Sequence, residues 1–441
     1  MPERASDRFD RRTVLKTSSA AAIAALAGCS TSDDESTSTP DEETPMDDET
    51  PTPDEETPTP DEEMEAAIET KSTGDPFADA KTAAGHVEGS AEVLASGIAA
   101  GAGLDGDPAS PSAELRAVLT GLLQEHVYLA GYTVDAAYSF GPDSAEYDLA
   151  ARTLDENTVE LADVVGSAAG DEKREQFITL WRDHIGFFVD YALAAAADDD
   201  EGRQAALDDL DEYTDTAGAF FEEISGGELP AGAVSDNLDV HIDTLSAAID
   251  SFAAGSASAF DDLKAAGDHV VGSATVLSGG LAAALEMDGD TESAASSLRA
   301  GLTAGLQEHV YLAGITVKTA YAAGLESGEF EAAAGTLDTN SVQLADAIGD
   351  LAGEDKRDSF LSLWRDHVGF FVDYAAAVAA DDEEARAAAL ADLDGYTEGA
   401  GAFFEEISGG ELPADAVSEN LVEHIRTLGG AIDSLDAAIN G

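Results

Sequence analysis

All eight histidines of this chain fall into four pairs, His86/His269, His126/His309, His184/His367 and His241/His424, and each pair is separated by 183 residues. Trp181 and Trp364, Asn157 and Asn340, and Tyr213 and Tyr396 obey the same offset. From about Phe77 onward the chain is therefore a gap-free tandem duplication. Both copies must adopt one fold, and about 180 residues per copy is enough to bury a core. A single cysteine, Cys29, rules out an intramolecular disulfide, so packing alone must hold the fold.

Periodicity sets the fold class. Apolar residues recur at helical spacing throughout, and alternation of the strand type never persists. In the first copy the pattern predicts helices over 77–101, 112–139, 144–167, 172–197, 202–224 and 231–253. Gly170-Asp171 separates the third from the fourth, and Ser225-Gly226-Gly227-Glu228-Leu229-Pro230 reads as a helix stop followed by a proline-led start. The same punctuation recurs at Gly353 and over Ser408 to Pro413. The expectation is an all-α protein of two tandem helical-bundle domains, 75–257 and 258–441, of about six helices each.

Charge narrows the partners. Asp and Glu number 91 against 21 Lys and Arg, a net charge of −70 spread over both copies and the N-terminal segment. Such a field repels nucleic acid and anionic lipid surfaces. Molar salt shortens the Debye length to about 3 Å and screens it. The composition reads as a halophile's surface, so charge alone marks no acidic cluster as a metal site.

The N-terminus reads as an address. Arg11-Arg12 precede a short apolar run, Ala20 to Ala27, that ends at Gly28-Cys29. This resembles a twin-arginine lipoprotein signal over residues 1–28, with Cys29 as the lipidated residue. The resemblance implies a protein held by that lipid at the extracytoplasmic face of the cell membrane. Residues 29–74 carry Thr-Pro-Asp-Glu-Glu units starting at Thr39, Thr52 and Thr59 and read as a disordered acidic linker.

The histidines are the candidate chemistry. Phe177, Leu180, Trp181, His184, Phe187, Phe188 and Tyr191 share one helical stripe, repeated as Phe360 to Tyr374. His126 lies among Leu122, Leu123 and Leu129, and His241 beside Leu238, Leu245 and Ile249. His86 sits among the small residues Ala83, Gly89 and Ser90, which let another helix or a ligand approach. Four imidazoles on four inward faces can build a metal or haem site. The candidate ligands are His86, His126, His184 and His241, with His269, His309, His367 and His424 in the second copy. The ion would be copper or another transition metal, with haem as the second reading. Glu125 and Asp183, and Glu308 and Asp366, stand next to histidines and are candidates to support the ligands from behind. They are alternatively partners of Arg116, Arg182, Arg299 and Arg365. The competing reading makes the histidines polar contacts of the core in a non-catalytic surface or interaction module.

No Glu-x-x-His, His-Glu-x-x-His, phosphate-binding glycine loop or Gly-x-Ser-x-Gly turn is present, so no catalytic residue is assigned. Gln124-Glu125-His126-Val127, Leu154-Asp155-x-Asn157 and Leu180-Trp181-Arg182-x-His184-Ile185-x-x-Phe188-Val189-x-Tyr191 together resemble a tandem helical surface domain of haloarchaea and bacilli. That domain is often labelled after a fused copper amine oxidase-like module. The resemblance covers nearly all of both copies and implies an exported or anchored helical domain. It implies no amine oxidase activity.

Overall fold

In the computed structural model residues 68–440 are described, and among them are twelve α-helices and no strands. The anticipated signal, Cys29 and most of the linker lie outside these residues. The helices are α1 (Pro76–Ala102), α2 (Pro111–Phe140), α3 (Ala145–Ala169), α4 (Asp171–Ala196), α5 (Asp200–Ile224) and α6 (Ala231–Ala253). The second copy gives α7 (Ala259–Ala284), α8 (Ala294–Ala323), α9 (Gly328–Ala352), α10 (Glu354–Ala379), α11 (Glu383–Ile407) and α12 (Ala414–Asn440). The six helices of the first copy begin and end within two residues of the pattern read from the sequence.

Local chemistry explains the boundaries. Asp75 caps α1 by accepting from the backbone N–H groups of Phe77 and Ala78, with Pro76 in the first turn. Ser110 and Ser144 cap α2 and α3 in the same way. Between α3 and α4 the chain reverses at Gly170 with φ of 91°, and between α9 and α10 at Gly353 with φ of 95°. A side chain is strained at such φ values, so glycine allows these one-residue joints.

Residues Ile68–Gly441 form one compact unit, and the helices do not pack copy by copy. Within the first copy α2 to α6 pack in sequence, but α7 of the second copy lies against α2 and α6. Reciprocally, α1 of the first copy lies against α8 and α12. Each six-helix bundle is therefore five helices of one copy plus the first helix of the other, which differs from the expected division at 257/258. The reason is connectivity. The turn from Ala254 to Ser258 is too short to carry α7 away from α6, so the two must be neighbours. The duplication then places α1 equivalently beside α12. The two bundles also meet along α2 and α8.

The anticipated linker ends earlier than its composition suggests. Residues 68–74 lie along α12: Lys71 N–H donates to the Arg426 carbonyl at 2.9 Å and Thr70 Oγ1 donates to Asp433 at 2.6 Å. A Cβ on Gly430 would stand 1.9 Å from the Lys71 carbonyl oxygen, so only glycine admits this segment. The equivalent residue of the first copy is Ala247, which is exposed among the described residues.

Candidate metal centre

Alternate helices deliver the histidines. His126 comes from α2, His184 from α4 and His241 from α6, and one ring nitrogen of each lies within 4.8 Å of the others. In the second bundle α8, α10 and α12 bring His309, His367 and His424 together within the same limit. All six are buried, with exposures between 1 and 7%. The rings of His126 and His184 are 5.4 Å apart between centroids, and those of His309 and His367 are 5.2 Å apart.

The helical stripe explains the placement. Phe177, Trp181, His184, Phe188 and Tyr191 are buried, while Leu180 and Phe187 pack at the edge. Trp181 stands edge-on to both His126 and His184, and Tyr213 from α5 stacks on His184 at 4.8 Å. Trp364 and Tyr396 repeat these contacts in the second bundle. An apolar cavity of about 60 Å³ borders the first triad, with His126, His241, Trp181, Phe177 and leucines among its walls.

Unpaired ring nitrogens recur at the same positions in both triads. The Nδ1 atoms of all six imidazoles are buried and make no hydrogen bond, and His309 Nε2 makes none either. An unpaired buried polar atom costs about 1–3 kcal/mol, and a ligand that reached these nitrogens would relieve that cost. Burial holds every one of these rings in the neutral form. The pKa falls to about 3 for His126 and His424 and to about 4 for His241 and His309, and it is well below the ordinary value for His184 and His367. Desolvation dominates in each case and neighbouring imidazoles add to it for all but His309; no carboxylate is among the causes for any of the six. Neutral imidazole is the form that binds metals. With ligand bonds of about 2.0–2.1 Å a trigonal ion needs nitrogens about 3.5 Å apart, so small rotations of the rings bring the donors into range. The buried triads can therefore hold a metal ion.

His86 and His269 stand apart. Each donates from Nε2 to a backbone carbonyl, His86 to Asn420 and His269 to Asn237, both at 3.1 Å. Because α1 and α7 are exchanged, each of these bonds joins one copy to the other. Of the small residues around His86, Ser90 donates to Asn420 Oδ1 of α12 while Gly89 faces open space, and His86 and His269 belong to neither triad.

The four carboxylates divide as well. Glu125 and Glu308 are buried, but they face the junction between bundles. Glu125 pairs with Lys81 at 3.0 Å and accepts from Asn157 at 3.1 Å and from the Tyr311 hydroxyl at 3.0 Å. Glu308 pairs with Lys264 at 3.1 Å and accepts from Asn340 at 2.9 Å and from the Tyr128 hydroxyl at 2.8 Å. Tyr128 and Tyr311 stack at 5.4 Å with their planes 9° apart, so each half ties off the other's glutamate. Asp183 and Asp366 are exposed and turned away from the imidazoles, which corrects their reading as support for the ligands. Successive helical residues diverge by about 100°, so burying His184 turns its neighbour outward. The arginines also pair elsewhere. Arg182 holds Asp155 through two bonds of 2.7 and 2.8 Å, Arg365 holds Asp338 alike, and Arg116 and Arg299 bridge the copies through Thr291 and Pro108 carbonyls. The lysines escaped the sequence reading, although Lys81 and Lys264 obey the 183-residue offset.

No protein-family model matches the chain, and no match is found among curated proteins or solved structures.

Proposed function

We propose that each bundle binds one transition-metal ion through a buried histidine triad, His126/His184/His241 in one and His309/His367/His424 in the other. The observation that carries this reading is the convergence of three neutral imidazoles, in both copies, with Nδ1 atoms that have no other partner. His86 and His269 each hold a carbonyl of another helix, as a ring that fixes helix register would, whereas the carbonyls that act on the triads are those of Trp181 on His184 and Trp364 on His367, one turn back on the same helix. The structural reading of the histidines is thus supported for that one pair, and the ligand reading for the other three pairs.

The same proposal places the protein outside the cytoplasm, anchored through a lipid on Cys29 and adapted to high salt. Arg11-Arg12, the lone cysteine after Gly28 and the net charge of −70 support it. No described helix is long and apolar enough to cross a membrane. We assign no catalytic step.

Elemental analysis of protein purified in molar salt tests the binding. Two ions per chain are expected, one per triad, and a His184→Ala, His367→Ala double variant should carry none. Folded wild-type protein that is metal-free and takes up no ion on titration would remove the proposal.

A further inference from the structure

The donor set and its surroundings discriminate between ions. Each triad offers three neutral nitrogens, and no carboxylate or thiolate among the described residues joins either group. The nearest walls are Trp181, Phe188 and Tyr213 in one bundle and Trp364, Phe371 and Tyr396 in the other. The buried glutamates are committed to lysine, asparagine and tyrosine at the junction. A metal in this place keeps its full formal charge in a medium of low polarity.

Resting on the metal-binding reading, we infer that the triads select monovalent copper over zinc and other divalent ions. The cost of burying an uncompensated charge grows with its square, so a dication suffers about four times the penalty of a monocation. Divalent zinc also favours four ligands, and its open sites hold water in the fourth position. The cavity beside the first triad is walled mainly by leucine, valine and phenylalanine, surroundings in which cavities stay dry. Copper binds imidazole donors, and in its monovalent state it carries the smallest charge of the candidates. One opposing effect is the negative field of the acidic surface, which favours dications. That field acts from a distance and is screened within about 3 Å in molar salt, whereas the local desolvation is not.

The test is a pair of anaerobic titrations on the full chain in molar salt. One delivers copper(I) against the chromogenic chelator bicinchoninate, and the other delivers zinc(II) against a zinc-chelating dye. Copper(I) should fill two sites per chain at least about 100-fold more tightly than zinc(II). X-ray absorption on the copper(I) form should show three nitrogen neighbours. Zinc(II) bound as tightly as copper(I), or copper bound with four or more neighbours, would overturn the inference while leaving metal binding intact. Binding of neither ion, nor of nickel or cobalt, would remove metal binding itself. A His241→Glu, His424→Glu variant, its helicity checked by circular dichroism, adds the missing negative charge. It should narrow the copper-to-zinc preference at least about tenfold. An unchanged preference in the folded variant would show that charge is not the selector.

Discussion

Glu125 and His126 are neighbours in sequence and both are buried, yet they enter opposite kinds of polar surroundings. The carboxylate has a lysine, an amide and a phenol, and the same arrangement recurs around Glu308. The imidazole has other imidazoles and aromatic walls, with Nδ1 left unpaired. A cluster whose charges are paired fixes geometry, as around Glu125 and Glu308, although Asn157 Oδ1 and Asn340 Oδ1 beside them stay unpaired. An unsatisfied one is costly unless something completes it. In this molecule the first kind joins the two bundles, and the second kind sits inside each of them. Perturbations should therefore separate the two clusters cleanly.

Acid should produce the largest separation. Burial lowers the triad imidazoles from an ordinary value of 6.5 to about 3 for His126 and His424 and about 4 for His241 and His309, and holds His184 and His367 well below it. An unfolded chain takes up these protons first, so the stability the rings allow is complete above pH 6.5 and is lost as pH falls towards 4. Burial raises the pKa of Glu125 and Glu308, and that of Glu88 to about 8, so those three carboxyls act in the opposite sense. The six triad rings, joined by His86, oppose these three carboxyls, joined by Glu92, whose pKa burial also raises. At about 1.4 kcal/mol per group per pH unit, metal-free protein should lose several kcal/mol between pH 6.5 and 5. Denaturant unfolding at stepped pH measures this. Bound metal should hold the loss off until the ion dissociates, and an acid response identical with and without metal would contradict the ligand assignment.

The junction should respond next, without regard to metal. Glu125→Ala leaves Lys81, Asn157 and the Tyr311 hydroxyl without their shared acceptor. Removing one member of a buried pair costs about 3–5 kcal/mol, and the lower end is appropriate here because Lys81 retains Glu160 and is 17% exposed. The melting temperature should fall equally in loaded and metal-free protein, and the metal content should stay at two per chain. Loss of metal from a variant that stays folded would show that the clusters are coupled.

Adding metal gives an intermediate effect confined to the triads. At a free concentration 100 times the dissociation constant, each site should contribute about 2.7 kcal/mol. A His126→Leu, His309→Leu variant should gain none of it. In the metal-free state the same variant should be close to wild type at neutral pH, because leucine fills the space without leaving nitrogens unpaired. It should also show a shallower acid response. Calorimetry on the four combinations of protein and metal separates these contributions.

The sequence carried the local part of this account. The helix boundaries follow from glycine and proline punctuation and from the 3.6-residue period, and the stripe through Phe177, Trp181 and His184 announced its own burial. Periodicity says that a face is covered but not by which helix, so the exchange of α1 and α7 was invisible. For the same reason His86 could not be separated from the other histidines: its inward face is real, but α12 of the other copy covers it. The lysine of each junction lies on an exchanged helix, α1 or α7, so its pairing with Glu125 or Glu308 is a long-range fact. Ser90 beside His86 was the one local signal of a close neighbour.

The smallest effect tests the acidic residues that stand beside histidines. Asp183 and Asp366 share with Glu125 and Glu308 the position just before an inward imidazole, yet they face solvent. Replacing both with asparagine removes two charges from a surface already at −70 and breaks no buried contact. In molar salt the change in stability should stay within about 0.5 kcal/mol, and metal affinity should be unaltered. At low ionic strength the same substitutions should stabilise slightly by easing repulsion. A tenfold loss of metal affinity would instead mean that these carboxylates reach the triads in solution, and the contrast between the two acidic positions would fail. The helix geometry argues against that outcome, because a residue about 100° from a buried imidazole cannot turn inward without exposing Trp181 or Phe188.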